Sequence, residues 1–103
     1  MKVIWQDDAK KSLRQISRYI GSKFGNTAKL EFVKTVEEYN TMLSQMPYLF
    51  AIEPLFDDRS ETYRSVLIAN RSRLVYRVDG DIVNVVAFWD CRSNTKNKAK
   101  KVK

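Results

Sequence analysis

The sequence predicts an α+β domain with the order β-α-α-β-β-β, a helix hairpin packed on one face of a mainly antiparallel four-stranded sheet. Three observations carry this reading. Two apolar stripes at helical spacing fill the first half of the 103-residue chain. Strand-like runs joined by an Asp79-Gly80 turn signal fill the second half. The composition, 44% hydrophobic and 12% aromatic, is rich enough to bury a core, at a length that suits one domain.

Lys2-Val3-Ile4-Trp5 is a short β-prone run and reads as the first strand. Asp7 or Asp8 then offers an N-cap, with acidic charge favoured at a helix start. Ala9, Leu13, Ile16, Ile20 and Phe24 follow at spacings of four, three, four and four, one face of an amphipathic helix. Gly25 stops that helix, and Asn26 or Thr27 caps the next. Ala28, Phe32, Val36, Tyr39, Leu43 and Met46 form the second stripe, and Pro47 ends it. These stripes read as core. Residues 47–62 are irregular, with room for a short third helix or turn, and Leu49, Phe50, Ile52, Leu55 and Phe56 are expected to pin them to the core. Three strands follow: Tyr63 to Ala69, Arg73 to Val78, and Ile82 to Trp89. The last is apolar on both alternating sets, so it is expected to be central or covered on both faces.

Register assigns the faces. With Asp79-Gly80 as a two-residue loop, Arg77 opposes Ile82 and Arg73 opposes Val86. Arg73, Val75, Arg77, Ile82, Asn84, Val86, Phe88, Asp90 and Arg92 then share one face. Leu74, Tyr76, Val78, Asp81, Val83, Val85, Ala87, Trp89 and Cys91 share the other, nearly all apolar with Asp81 at its turn end, which the helices are expected to cover. A two-residue turn before Arg73 would add Arg64, Val66 and Ile68 to the first face. Arg64, Arg73, Arg77 and Arg92 are therefore expected to converge away from the helices, with Asn84 among them. Guanidinium groups are permanently charged and fork onto phosphate or carboxylate, so such a face would recognise an anion. Cys91 reads as a small buried residue rather than a nucleophile.

Charge is unevenly distributed. The net charge is +7. Residues 1–62 are balanced, residues 63–95 hold five arginines against three aspartates, and residues 96–103 add Lys96, Lys98, Lys100, Lys101 and Lys103. The chain is expected to be a single domain over 1–95 followed by a basic, solvated tail at 96–103, where Lys96 and Lys98 are candidate phosphate contacts. With no histidine and one cysteine, Ser-His-Asp and Cys-His catalysis, His-based metal sites and an intrachain disulfide framework are excluded. No cofactor, metal-ligand or phosphate-loop motif is present. No signal-peptide pattern opens the chain and no apolar run is long enough to span a bilayer, so a cytoplasmic location without membrane contact is expected.

The opening KVIWQDDAKKSLRQISRYI, the Leu43 to Pro47 helix end and above all YRSVLIANRSRLVYRVDGDIVNVVAFWDCR, residues 63–92, resemble the RelE/ParE superfamily of toxins from bacterial type II toxin–antitoxin systems. The resemblance covers almost the whole chain. It implies a growth-inhibiting toxin that acts on translation or on DNA gyrase and is neutralised by a cognate antitoxin. RelE-like members cut messenger RNA on the ribosome, whereas ParE-like members poison DNA gyrase. Arg64, Arg73 and Arg92 resemble the cations that neutralise the scissile phosphate in RelE-like enzymes, and would be the catalytic set if this chain were a ribosome-dependent endoribonuclease. Arg64, Arg73, Arg77, Asn84, Arg92, Lys96 and Lys98 would serve nucleic-acid or antitoxin binding. Val66 replaces a second basic residue, and the tyrosine or histidine expected after the closing arginine is absent from Ser93 to Lys103. Cleavage by an RNA 2′-hydroxyl needs a base and an acid as well as charge stabilisation. The remaining candidates for proton transfer are Asp90, Glu61, Tyr63 and tail lysines. An inactive relative or small RNA-binding domain is the third reading.

Overall fold

A strand that is apolar on both faces needs cover on both faces, and the architecture supplies it. The computed structural model describes residues 1–56 and 58–91. Its elements are β1 (Lys2–Trp5), α1 (Asp7–Phe24), α2 (Asn26–Gln45), a single 3-10 turn (Pro54–Phe56), β2 (Arg64–Ile68), β3 (Ser72–Asp79) and β4 (Ile82–Asp90). The order is the one the sequence predicts, and the turn in 47–62 is the short 3-10 element. The sheet runs β1-β4-β3-β2, with β1 parallel to β4 and the other pairs antiparallel. Arg92 and the 96–103 tail lie outside the described residues.

Both helices start slightly earlier than expected. Asp7 and Asp8 lie in the first turn of α1, where their charge faces the positive end of the helix dipole, and the cap position is Gln6. Gly25 joins the helices at φ 98°, a conformation that costs glycine little. From the two stripes, Ala9, Ile20, Phe32, Val36 and Leu43 are buried, while Phe24 and Met46 at the stripe ends are exposed. They pack on Leu74 and Tyr76 of β3 and on Val83, Val85 and Phe88 of β4. Trp5 joins this cluster with its ring 5.5 Å from Phe88, and its indole N–H donates to Asn40 Oδ1 at 2.8 Å.

Three local irregularities redistribute the side chains between faces. The β3–β4 loop is Gly80-Asp81, so Asp79 opposes Ile82 and Arg77 opposes Asn84. That is two residues from the expected register, and faces near the turn are preserved because side chains alternate with period two. Gly80 alone in this loop has positive φ, at 59°. Further along, Val75 opposes Ala87 but Tyr76 opposes Val85, leaving Val86 as a β-bulge. The extra residue reverses the expected faces beyond it. Phe88 turns toward the helices, while Ala87 and Trp89 join Val75 and Val86 on the opposite face. Asp90 opposes Ser72 and so leaves the arginine face as well.

The third irregularity is the β2–β3 connection. Ile68 opposes Ser72, so the loop contains three residues, Ala69, Asn70 and Arg71. Ala69 and Asn70 both adopt φ 54°. An odd loop reverses the strand relative to a two-residue turn. Arg64 therefore opposes Tyr76, on the helix side, whereas Ser65 opposes Val75, on the far side.

The far face is covered too. Residues 51–53 run beside β2, where Glu53 N donates to Tyr63 O at 2.8 Å and Ser65 N to Ala51 O at 3.0 Å. The 3-10 turn then lays Leu55 and Phe56 against Tyr63, Val75, Val86, Ala87 and Trp89, a second apolar cluster. Leu49 and Ile52, expected in the core, are instead 55% and 56% exposed. Cys91 is exposed rather than buried.

Phe88→Ala is expected to destabilise the domain by about 3–5 kcal/mol, as for a ring removed from a closed core. A loss below about 1 kcal/mol in denaturant unfolding would contradict its placement. Ala69→Gly is expected to raise the melting temperature, since it relieves a left-handed alanine worth about 1–2 kcal/mol and loses about 0.5–1 kcal/mol to chain entropy.

Candidate functional site

Two of the expected arginines lie on the far sheet face, and each faces a carboxylate of its own chain. Arg73 Nη1 donates to Ser65 Oγ at 3.1 Å and lies 3.5 Å from Glu53 Oε1. Glu53 is 3% exposed, and its other oxygen accepts from Leu55 N at 3.2 Å. A carboxylate withdrawn this far from water needs a cation, and Arg73 provides it. Four residues along β3, Arg77 Nε donates to Asp79 Oδ2 at 2.7 Å and its Nη1 to the Tyr63 hydroxyl at 3.0 Å. Asn84 Nδ2 donates to the same Asp79 oxygen at 2.5 Å. The Arg77 hydrogen bond to Asp79 is the main force raising the guanidinium pKa and holding the Asp79 carboxyl below its usual value.

Tyr63 ties the two regions together. Its ring lies 4.8 Å from Phe56, with the Arg77 guanidinium 5.8 Å from its centroid. Arg59, which sequence reasoning did not single out, sits 4.9 Å over the Phe56 ring. The far face is therefore an aromatic cluster edged by paired arginines.

Arg64 stands apart from this group. It lies on the helix side of edge strand β2, donates from Nη1 to Phe50 O at 2.8 Å and stacks 5.4 Å from the Tyr48 ring centroid. The structure thus places Arg73, Arg77 and Asn84 on one face and Arg64 on the other, and the expected four-arginine convergence does not form among the described residues. Arg92, Lys96 and Lys98 lie outside them. Arg71 is at the other end of the sheet, 3.9 Å from Asp90 and 5.8 Å from the Tyr19 ring.

The groups weighed for proton transfer are also dispersed. Asp90 is beside Arg71, Tyr63 is 2% exposed with its hydroxyl accepting from Arg77, and Glu61 is exposed near Arg64. The Cys91 thiol is pushed above its ordinary value by desolvation, which disfavours the reactive thiolate. Among the described residues no group of three or more His, Cys, Asp or Glu is placed to hold a metal ion, and no helix is long and apolar enough to cross a membrane.

Glu53, Ser65 and Asp79, the partners that fix the arginines, were not among the expected site residues. Glu53 carried a signal: it is the one charge in the apolar run YLFAIEPLF, which marks a buried acid in need of a cation.

The family described as ParE toxin of type II toxin-antitoxin system, parDE, matches residues 3–95. No curated protein sequence matches the chain. A solved chain of the chromosomal ParDE TA system from P. aeruginosa superposes with a TM-score of 0.71 at 19% identity, over 87% of this chain and 95% of that one. At that identity the likeness concerns the fold.

The Arg77–Asp79 pair sets an acid limb to stability. A carboxyl held low in the folded state contributes stability that is complete above its unfolded pKa of about 3.9 and is lost as pH falls through the folded value. Melting temperatures of wild type and Asp79→Asn between pH 2 and 7 should therefore converge at the acid end and diverge toward neutrality. Parallel curves would contradict the pairing.

Proposed function

The chain belongs to the ParE toxin family of type II toxin–antitoxin systems, and we propose that it arrests growth by acting on DNA gyrase rather than by cutting messenger RNA, until a cognate antitoxin neutralises it. One observation carries the choice between targets. Arg73 and Arg77 are each engaged by a carboxylate of the same chain, and Arg64 projects from the other side of the sheet. A phosphodiester held for cleavage needs several cations aimed at one point, with a base and an acid nearby. Here the described cations diverge, the far face is filled by Phe56 and its neighbours, and the chain has no histidine. Inhibition of an enzyme by binding requires none of this. It requires a rigid surface of suitable shape and charge.

The same reading gives the antitoxin a role that the +7 charge favours, with an acidic segment drawn to the basic chain. Arg92, Lys96 and Lys98 are then contacts for that segment rather than parts of a catalytic set. Tail lysines also give any nucleic-acid contact a salt dependence, by counterion release.

Induced expression without antitoxin is expected to produce DNA double-strand breaks while protein synthesis continues. The purified chain should stabilise cleaved complexes of gyrase with supercoiled plasmid. Translation-dependent mRNA cleavage, mapped by primer extension in cells whose DNA stays intact, would overturn this reading.

A further inference from the structure

Arg64 differs from the arginines of β3 and of the β2–β3 loop. Arg71, Arg73 and Arg77 each lie within 4 Å of a carboxylate, at 3.9, 3.5 and 2.7 Å. Among the described residues Arg64 forms no ion pair, and its guanidinium donates a hydrogen bond to the Phe50 carbonyl. It lines an open pocket of about 300 Å³ with Tyr48, Ser60, Glu61, Thr62 and Val78. Glu61 shares this pocket without coming within ion-pair distance. The Arg64 guanidinium lies against the Tyr48 ring, and a guanidinium has five N–H donors, so the bond to Phe50 does not exhaust it.

The surroundings identify the kind of acceptor. Met46, Tyr48, Leu49 and Ile52 follow one another on the segment after α2 and are 48%, 62%, 55% and 56% exposed. Large apolar side chains concentrated on one short segment are characteristic of a protein-binding surface. A nucleic-acid surface would instead be lined with several cations, and here Arg64 is accompanied by acidic Glu61.

We propose that Arg64 and the exposed Tyr48-Leu49-Ile52 surface form the docking site for the toxin's protein target, through a target segment that places a carboxylate on Arg64 and apolar side chains on Leu49 and Ile52. Complementarity of charge selects the acid, because Arg64 is the described strand arginine without an ion pair, whereas Arg73 and Arg77 of β3 each have one. Its fixed stack on Tyr48 lowers the ordering cost of receiving a planar carboxylate. This assignment goes beyond the choice of gyrase as target and does not need that choice to be correct.

Growth arrest on induction tests the surface without knowledge of the target. Arg64→Gln, Leu49→Ser and Ile52→Ser are compared with wild type at matched soluble levels, with Lys34→Gln on α2 as a control. Circular dichroism and melting temperature verify folding, and Leu49 and Ile52 are exposed enough to be replaced without opening the core. All three variants are expected to need at least tenfold more protein for the same arrest, with Lys34→Gln unchanged. Full toxicity in folded Leu49→Ser and Ile52→Ser would overturn the proposal. If toxicity then falls in Arg64→Gln alone, the site belongs to a nucleic-acid phosphate. If the variants stay toxic but escape antitoxin, it belongs to the antitoxin. A wild-type dimer in sedimentation that Leu49→Ser dissociates without loss of toxicity would make it a self-interface. Loss of toxicity in all three, with wild type inactive on gyrase, would keep the docking surface and reject gyrase as the target.

Discussion

Burial of the last strand on both sides is the constraint from which the rest follows. Val83, Val85 and Phe88 enter one apolar cluster and Val86, Ala87 and Trp89 the other. Helices cover the first, as the amphipathic stripes require. The second has no helix available, so the chain between α2 and β2 folds back and covers it with Leu55 and Phe56. An irregular segment of that length in a small domain is thereby explained as the second layer of the core.

Covering the far face carries Glu53 beneath the surface, and a buried carboxylate demands a partner. Arg73 supplies it across the strap-to-sheet contact, with Ser65 as a further acceptor for the guanidinium. Arg77 is held similarly through Asp79 and Tyr63. Arginines of β3 that would form an anion-binding face on an uncovered sheet are here each held by a carboxylate of the chain. That is the physical difference between this chain and a site built for phosphate cleavage, and Arg64, on the opposite side, is the described strand arginine without an ion pair.

Element order, helix stripes, the central apolar strand and the β3–β4 hairpin were legible because each rests on local periodicity or turn chemistry. Facing of the arginines was only partly legible. Arg73 and Arg77 lie on β3, whose own alternation is unbroken because the extra residue is on β4, whereas Arg64 and Phe88 depend on features that break the alternation. The odd loop at Ala69-Asn70-Arg71 uses left-handed backbone at an alanine, a choice no propensity favours. The bulge at Val86 lies in a run of apolar residues, where a one-residue shift leaves no mark in the pattern. Partners such as Glu53 come from distant segments, so only the sign that a cation was needed could be read, not which one would answer.

Arg73 acts within the fold rather than at an open site. A double-mutant cycle measures this most directly: denaturant unfolding of wild type, Glu53→Gln, Arg73→Gln and the double variant. The clamp predicts a coupling energy of about 1 kcal/mol or more, with the double variant less destabilised than the two single losses combined. Additivity to within about 0.3–0.5 kcal/mol would show that Glu53 does not hold Arg73, and the far face would again be an open arginine surface.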